Sequence, residues 1–319
     1  MSLSSDQLAT SVPAARCVLT SGPVAPEWIR RWIEPSKAYD LDQVDGCTLS
    51  SSDRWTFAQV RVPGVATASP AQLDGGVHAA YLALASAISP GLHPHPVRFW
   101  NYVPRLLDAV ETDRNRYMVF NAARHRALEA WLKTSDIQPR LVAASAVDAQ
   151  GDDLIVHALS GRSPATPIEN PRQRPAYRYS AIYGPVPPSF ARGTVVTTDT
   201  PFGSPLLITA GTASVVGEET RHPDNLSEQL RETERNLIAL ITETTSVLRQ
   251  GARPFNGTSA TPNLDCFRHV RAYFSQPEGQ TLLEAQLPGM FPRAERIELV
   301  PAVLCRPGLV VEIEGIAVL

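Results

Sequence analysis

The chain has 319 residues, 43% of them hydrophobic, and a formal net charge of −3. That length suits two packed domains, and the near-neutral balance supplies no basic field for nucleic acid or an anionic membrane. No apolar run approaches the roughly 18 residues of a spanning helix. The start, Met1 to Gln7, has no basic segment leading into an apolar one, so the expected location is the cytoplasm.

Cys17, Cys47, Cys266 and Cys305 form no Cys-x-x-Cys pair. Reduced thiols are expected, without a disulfide framework or a zinc site. His93-Pro94-His95 has a His-x-His spacing, but the proline and the missing third ligand make it a loop, and no metal or other cofactor is expected. Lys37 and Lys133 are the only lysines. Cationic sites must therefore be mostly arginines, planar bidentate donors suited to carboxylates.

In chain order, residues 1–15 are polar and expected to fray. Cys17 to Thr20 reads as a short strand, Glu27 to Ile33 as a helical turn or tryptophan-anchored loop, and Trp55 to Val62 as a strand. Ser69-Pro70 is an N-cap and N1 pair. It opens a helix with Leu73, Val77, Ala80, Tyr81, Leu84 and Ile88 on one face. Val97 to Val103 is a strand, and Asn115 to Phe120 leads into a helix from about Ala122 to Trp131. Leu141 to Val147 and Leu154 to Leu159 suggest a hairpin. Gly161 to Pro188, rich in Pro, Arg and Tyr, is too long for a simple connection and reads as a functional loop.

The second half opens with a strand-like, Gly-punctuated run, Leu206 to Gly217. Asp224 or Asn225 then caps a long helix with its stripe at Leu226, Leu230, Leu237, Leu240, Ile241 and Leu248. A strand at Leu264 to Phe274 and a helix from Pro277, capped by Ser275, follow. Glu298 to Val318 reads as two strands joined at Pro307-Gly308. The order strand, helix, strand, helix occurs twice. The expected fold class is therefore α+β, two halves of similar design, 1–160 and 161–319, each a mixed sheet backed by helices. In the last strand Glu312 lies between Val311 and Ile313. A carboxylate in such company must be paired, hydrogen-bonded or protonated, which makes it an ion-pair partner or a working acid.

Several stretches carry a family resemblance: Pro96 to Pro104, Asn115 to Arg124, Tyr183-Gly184-Pro185, Pro188 to Arg192, Gly211 to Gly217 and Cys305-Arg306-Pro307. Together they resemble the chorismatases. Thr209-Ala210-Gly211, Leu226 to Leu230, Glu234 to Leu237 and Val311 to Val318 make the second half similar to the Rid (YjgF) fold. The resemblance implies two fused Rid-like (chorismate mutase-like) halves with the active site in the C-terminal one. It implies chorismate as substrate and loss of pyruvate. Carried over by position, it makes Glu312 the catalytic acid and assigns substrate binding to Arg124, Tyr183 and Arg192. The resemblance adds Cys305 to the catalytic residues, its thiol acting on the intermediate or shaping the pocket, and Gly217 to the substrate-binding ones; both match the branch that forms 3-hydroxybenzoate. The alternatives are a branch that adds water to give a dihydroxycyclohexadiene carboxylate, a 4-hydroxybenzoate former, and a Rid-like imine deaminase or binding protein. Many relatives carry Gly-His-Glu where this chain has Gly217-Glu218-Glu219. By analogy a fused duplication is expected to be a monomer.

The chemistry fits these residue types. A dianion needs two or more arginines. An enol ether is cleaved by a proton delivered to its terminal carbon, so the acid must keep that proton near neutral pH, which apolar burial achieves.

Overall fold

The computed structural model describes residues 16–20, 24–33, 42–44, 46–251 and 263–319. The expected frayed start at 1–15 lies outside them. The first elements are β1 (Arg16–Leu19), α1 (Glu27–Ile33), β2 (Asp42–Val44), β3 (Cys47–Ser51), β4 (Trp55–Val62) and α2 (Pro70–Ile88). Ser69 and Gln72 cap α2 reciprocally, each side chain accepting the other's backbone N–H, which satisfies two orphan donors. There follow β5 (His95–Val103), the short pair β6 (Ala109–Glu111) and β7 (Arg114–Asn115), α3 (Arg116–Leu132), β8 (Ala143–Asp148) and β9 (Leu154–Gly161). α3 begins at Arg116, well before the expected Ala122, because the Asn115 side chain accepts from the Met118 N–H at 3.0 Å and so caps the helix there.

The second set is β10 (Thr166–Ile168), β11 (Gly193–Val196), β12 (Leu206–Thr209), β13 (Thr212–Ala213), β14 (Val215–Val216), β15 (Glu219–Thr220), α4 (Leu226–Gly251), β16 (Phe267–Phe274), α5 (Gln280–Met290), β17 (Arg296–Pro301) and β18 (Val311–Val318). The run expected as one strand from Leu206 is broken at Gly211. Of the two expected caps of α4, Asn225 is the one used, accepting from the Glu228 N–H at 3.2 Å. Ser275 does not cap α5: the helix is entered through a 3-10 turn, Pro277–Gly279, and the serine hydroxyl donates to Leu309 O at 3.5 Å.

One sheet has the order β2-β3-β4-β9-β5-β8, the other β10-β11-β12-β18-β16-β17-β1. In each, the final strand of the set inserts antiparallel between two earlier ones, β9 between β4 and β5, β18 between β12 and β16. In each, a helix links two parallel neighbours, β5 to β8 and β16 to β17, as a parallel crossover requires. The same path is thus traced twice, which gives the α+β fold its two halves. Both expected hairpins are absent for the same reason. β5 separates β8 from β9, and β16 separates β17 from β18. β1 pairs in parallel with β17, so the start of the chain extends the second sheet.

α2 and α3 cover the outer face of the first sheet through Leu73, Val77, Leu84, Val119, Phe120 and Ala127. α4 and α5 cover the second through Leu230, Leu237, Leu240, Leu283 and Leu287. Between the inner faces lie Trp28, Trp32, Trp55, Trp100, Tyr102 and Tyr273. A buried ion pair crosses this layer. Arg98 Nη2 of β5 donates to Glu314 Oε2 of β18 at 2.6 Å, and Trp100 Nε1 donates to Oε1 at 2.7 Å. Removing one partner of such a pair costs about 3–5 kcal/mol, because the other charge stays buried.

Candidate active site

The β8 edge of the first sheet is tied to the second half: the Ala143 N–H donates to Thr194 Oγ1 at 2.6 Å, and the Ala191 N–H to Val142 O at 3.1 Å. A cavity of about 350 Å³ opens at this junction. α3 contributes Tyr117, Asn121 and Arg124. They are spaced four and then three residues apart, so they share one helix face.

Arg124 is fixed by two donations, Nε to the Tyr81 hydroxyl at 2.6 Å and Nη1 to Ser189 O at 2.5 Å, and its guanidinium lies 5.3 Å from the Tyr81 ring centroid. Among the described residues Nη2 has no protein partner. Arg192, just ahead of β11, donates from Nη2 to the Tyr179 hydroxyl and to Arg174 O, while its buried Nε has no partner. Arg306 completes a set of three cavity-lining guanidiniums. It stacks 3.9 Å from the Tyr183 ring centroid and 4.6 Å from that of Tyr179, and Nη1 donates to Glu218 O at 2.6 Å. The Tyr183 hydroxyl donates to the same carbonyl at 2.5 Å. Tyr183 thus lines the cavity as the platform beneath Arg306, its hydroxyl already engaged.

Glu312 reaches the cavity from β18, where it sits opposite Tyr273 on one side and Ala213 on the other. It is 4% exposed. Burial and then the charge of Glu314 push its carboxyl up to about 8, against the lowering influence of Arg98, Arg192 and Arg306. Among the described residues it has no salt bridge, unlike Glu314. Gly211 makes room for it: a β-carbon there would overlap Oε1 and lie 2.9 Å from Cγ. Cys305 also lines the cavity. Burial, and then Glu312, push its thiol up to about 11, with the Tyr117 hydroxyl hydrogen-bonded to it. At neutral pH it is a thiol, not the thiolate that nucleophilic attack requires.

Gly217 is not among the lining residues. Its left-handed φ of 61° closes the tight turn between β14 and β15, and its backbone bonds to Arg172 and Arg174. Glu218 next to it is a loop staple. Its carboxylate accepts from the Ser180 N–H at 3.0 Å and from Arg174 Nη1 at 3.1 Å, and these partners hold the carboxyl below its ordinary value. His93, in the expected loop, bonds to Thr56 Oγ1 at 2.9 Å and to Asp53 O at 3.3 Å.

Residues 31–160 match the family model described as chorismatase FkbO/Hyg5-like, N-terminal. A 3-hydroxybenzoate synthase of Streptomyces hygroscopicus is 27% identical over 296 residues, 92% of this chain and 82% of the relative. A chorismatase of Streptomyces rapamycinicus is 26% identical over 274 residues, 85% and 77% of the two chains. The fold matches the crystal structure of a chorismatase with a TM-score of 0.72 at 24% identity, covering 87% of this chain and 78% of that one. The chain thus carries a chorismatase FkbO/Hyg5-like N-terminal domain at residues 31–160, and its fold is similar to that of a chorismatase.

The cavity gathers Glu312, Cys305, Arg124, Tyr183 and Arg192, and leaves Gly217 outside. Reading the sequence missed the roles of Arg306, Asn121 and Tyr117 in the wall. The spacing of Tyr117, Asn121 and Arg124 would have shown their common face had α3 been started at its Asn115 cap. Arg306 carried no signal of its own beyond its place next to Cys305. A protonated carboxyl among three guanidiniums can bind a dianion and give it a proton at neutral pH.

Proposed function

We propose that the chain converts chorismate to 3-hydroxybenzoate and pyruvate. The observation that carries this reading is Glu312: a buried carboxyl that keeps its proton near neutral pH, in a cavity ringed by Arg124, Arg192 and Arg306. The three guanidiniums bind the two carboxylates of chorismate. Glu312 gives its proton to the terminal carbon of the enolpyruvyl group, leaving an oxocarbenium ion that the newly formed carboxylate stabilises. The neighbouring ring hydroxyl attacks the carbon that bears the ether oxygen. The ether C–O bond breaks, pyruvate leaves as the ketone, and the hydroxyl proton returns to Glu312. The resulting arene oxide opens to 3-hydroxybenzoate. No water enters and no electron acceptor is needed, since the two products together have the composition of chorismate.

Cys305, as a neutral thiol beside Tyr117, shapes the wall against the ring and favours the internal hydroxyl over a water molecule. The repeated path of the two sheets supports a monomer as the working unit, with the second copy of the fold supplied by the same chain. The test is incubation with chorismate and analysis of products. Pyruvate and 3-hydroxybenzoate in equal amounts are expected. Pyruvate with a dihydroxycyclohexadiene carboxylate would instead assign water as the nucleophile, and no pyruvate would overturn the reading.

A further inference from the structure

Glu312 and Glu314 are two residues apart on β18, so their side chains leave the same face of the strand, and each is only 4% exposed. Two carboxylates so placed do not both ionise easily, and the groups around them decide which one does. Glu314 accepts from Arg98 Nη2 at 2.6 Å, Trp100 Nε1 at 2.7 Å and the Tyr273 hydroxyl at 3.3 Å. Arg98 is itself held in place, Nη1 donating to Phe99 O at 2.8 Å and Nη2 also to Ser145 Oγ at 3.0 Å. Three donors, one of them a fixed cation, converge on one carboxylate and none of them on the other.

We propose that the Arg98–Glu314 pair is a positioning element for the reaction, holding Glu314 as the ionised member of the two and reserving Glu312 as the proton carrier. This rests on the reading of Glu312 as the acid. The other charged or titratable groups facing Glu312 are Tyr117 of α3, Arg192 before β11, Cys305 and Arg306 before β18, and Tyr273 of β16. Of these only Tyr273 touches the pair, through its bond to Glu314 at 3.3 Å, and Glu314→Gln keeps an oxygen to accept it. Glu314 sets Glu312 towards its acid form and Arg98 opposes it, so the balance depends on both charges being present.

The experiment is the pH profile of pyruvate release from chorismate, between pH 5 and 10, for the unaltered enzyme, Glu314→Gln, the double variant Arg98→Met with Glu314→Gln, and Trp100→Phe. Glu314→Gln leaves Arg98 as an uncompensated cation near Glu312. The alkaline limb of kcat should move at least one pH unit towards acid, a loss of about fivefold at pH 8 and about tenfold at pH 9, with little change at pH 6. The double variant removes both charges and should restore the limb. Trp100→Phe withdraws one donor from Glu314 and should move the limb the same way by less. It keeps both charges and carries the test if Glu314→Gln fails to fold. Unmoved limbs in the folded variants would overturn the proposal, as would a double variant no different from Glu314→Gln. A merely structural pair would change melting temperature and leave the limbs in place. If the unaltered enzyme releases no pyruvate, or Glu312→Gln turns over fully, the acid reading itself has failed; Glu312-dependent turnover with unmoved limbs defeats only the role of the pair.

Discussion

Gly211 and Glu312 are in such close approach that no side chain fits between them: a β-carbon on residue 211 would occupy the space of Glu312 Oε1. The backbone at Gly211 is not in a left-handed conformation, so the requirement is room and not torsion. Gly211→Ala should fold and bind substrate while displacing the carboxyl. A misplacement of about 1 Å can cost on the order of 10²-fold in rate. Steady-state pyruvate release with melting curves checks this, and a rate within twofold of normal would show that Glu312 need not sit where it does.

Replacing the acid by its amide keeps the shape and removes the proton. Glu312→Gln is expected to lose on the order of 10²- to 10⁴-fold in kcat, the usual span for a general acid, with a near-ultraviolet spectrum like that of the parent. Turnover kept at a tenth or more of normal would make Glu312 a structural residue.

The same carboxyl makes two pH-dependent predictions. Turnover needs Glu312 protonated, so kcat should be level below about 8 and fall above it. Stability follows the same sign. The carboxyl titrates near 4.5 when exposed and near 8 in the fold, so between those values the folded chain holds the extra proton and stability falls as pH rises. Glu312→Gln removes that penalty. Its gain in Tm over the parent should therefore be larger at pH 9 than at pH 5, and an equal difference at both would contradict the raised carboxyl.

Arg306 combines a stacked guanidinium with an anchored Nη1. Lysine offers neither the plane nor the fork. Arg306→Lys should raise KM for chorismate at least tenfold, a loss of about 1.4 kcal/mol of binding, with little change in Tm. An unchanged KM would remove Arg306 from the substrate site.

If Cys305 acts as the wall group proposed above, Cys305→Ala should retain much of the pyruvate release while admitting water. Chromatography of the products is expected to show a new dihydroxycyclohexadiene carboxylate beside 3-hydroxybenzoate. A variant that stops releasing pyruvate would instead place the thiol in the chemical step.

Most of the helices, and the buried carboxyl, were legible in the sequence because their signals are local. Ser69-Pro70 announces α2, Asn225 announces α4, and an isolated Glu312 between Val311 and Ile313 stands out by residue type alone. Strand neighbours were not legible. The apolar alternation in 141–159 and 298–318 says that strands exist, but nothing in it says that β5 and β16 come between them. The same limit hid the cavity. Arg124, Arg192 and Arg306 are brought together only by the junction of two sheets, and a surface arginine and a cavity arginine look alike in sequence. Gly217 entered through the family resemblance, whereas its left-handed turn carries it away from the cavity.

The insertion of β16 between β17 and β18 has a consequence for how the two copies diverged. In the first half the corresponding link, from β8 to β9, is the short turn 149–153, and in the second it is the longer bridge 302–310. That bridge is docked on the opposite half, the Asp148 N–H donating to Val303 O at 2.9 Å, and it carries both Cys305 and Arg306 to the cavity. The longer of the two equivalent connections thus places the cavity on one side of a repeated scaffold. Substitutions along the bridge can redirect the outcome of the reaction while the strand that bears the acid keeps its register.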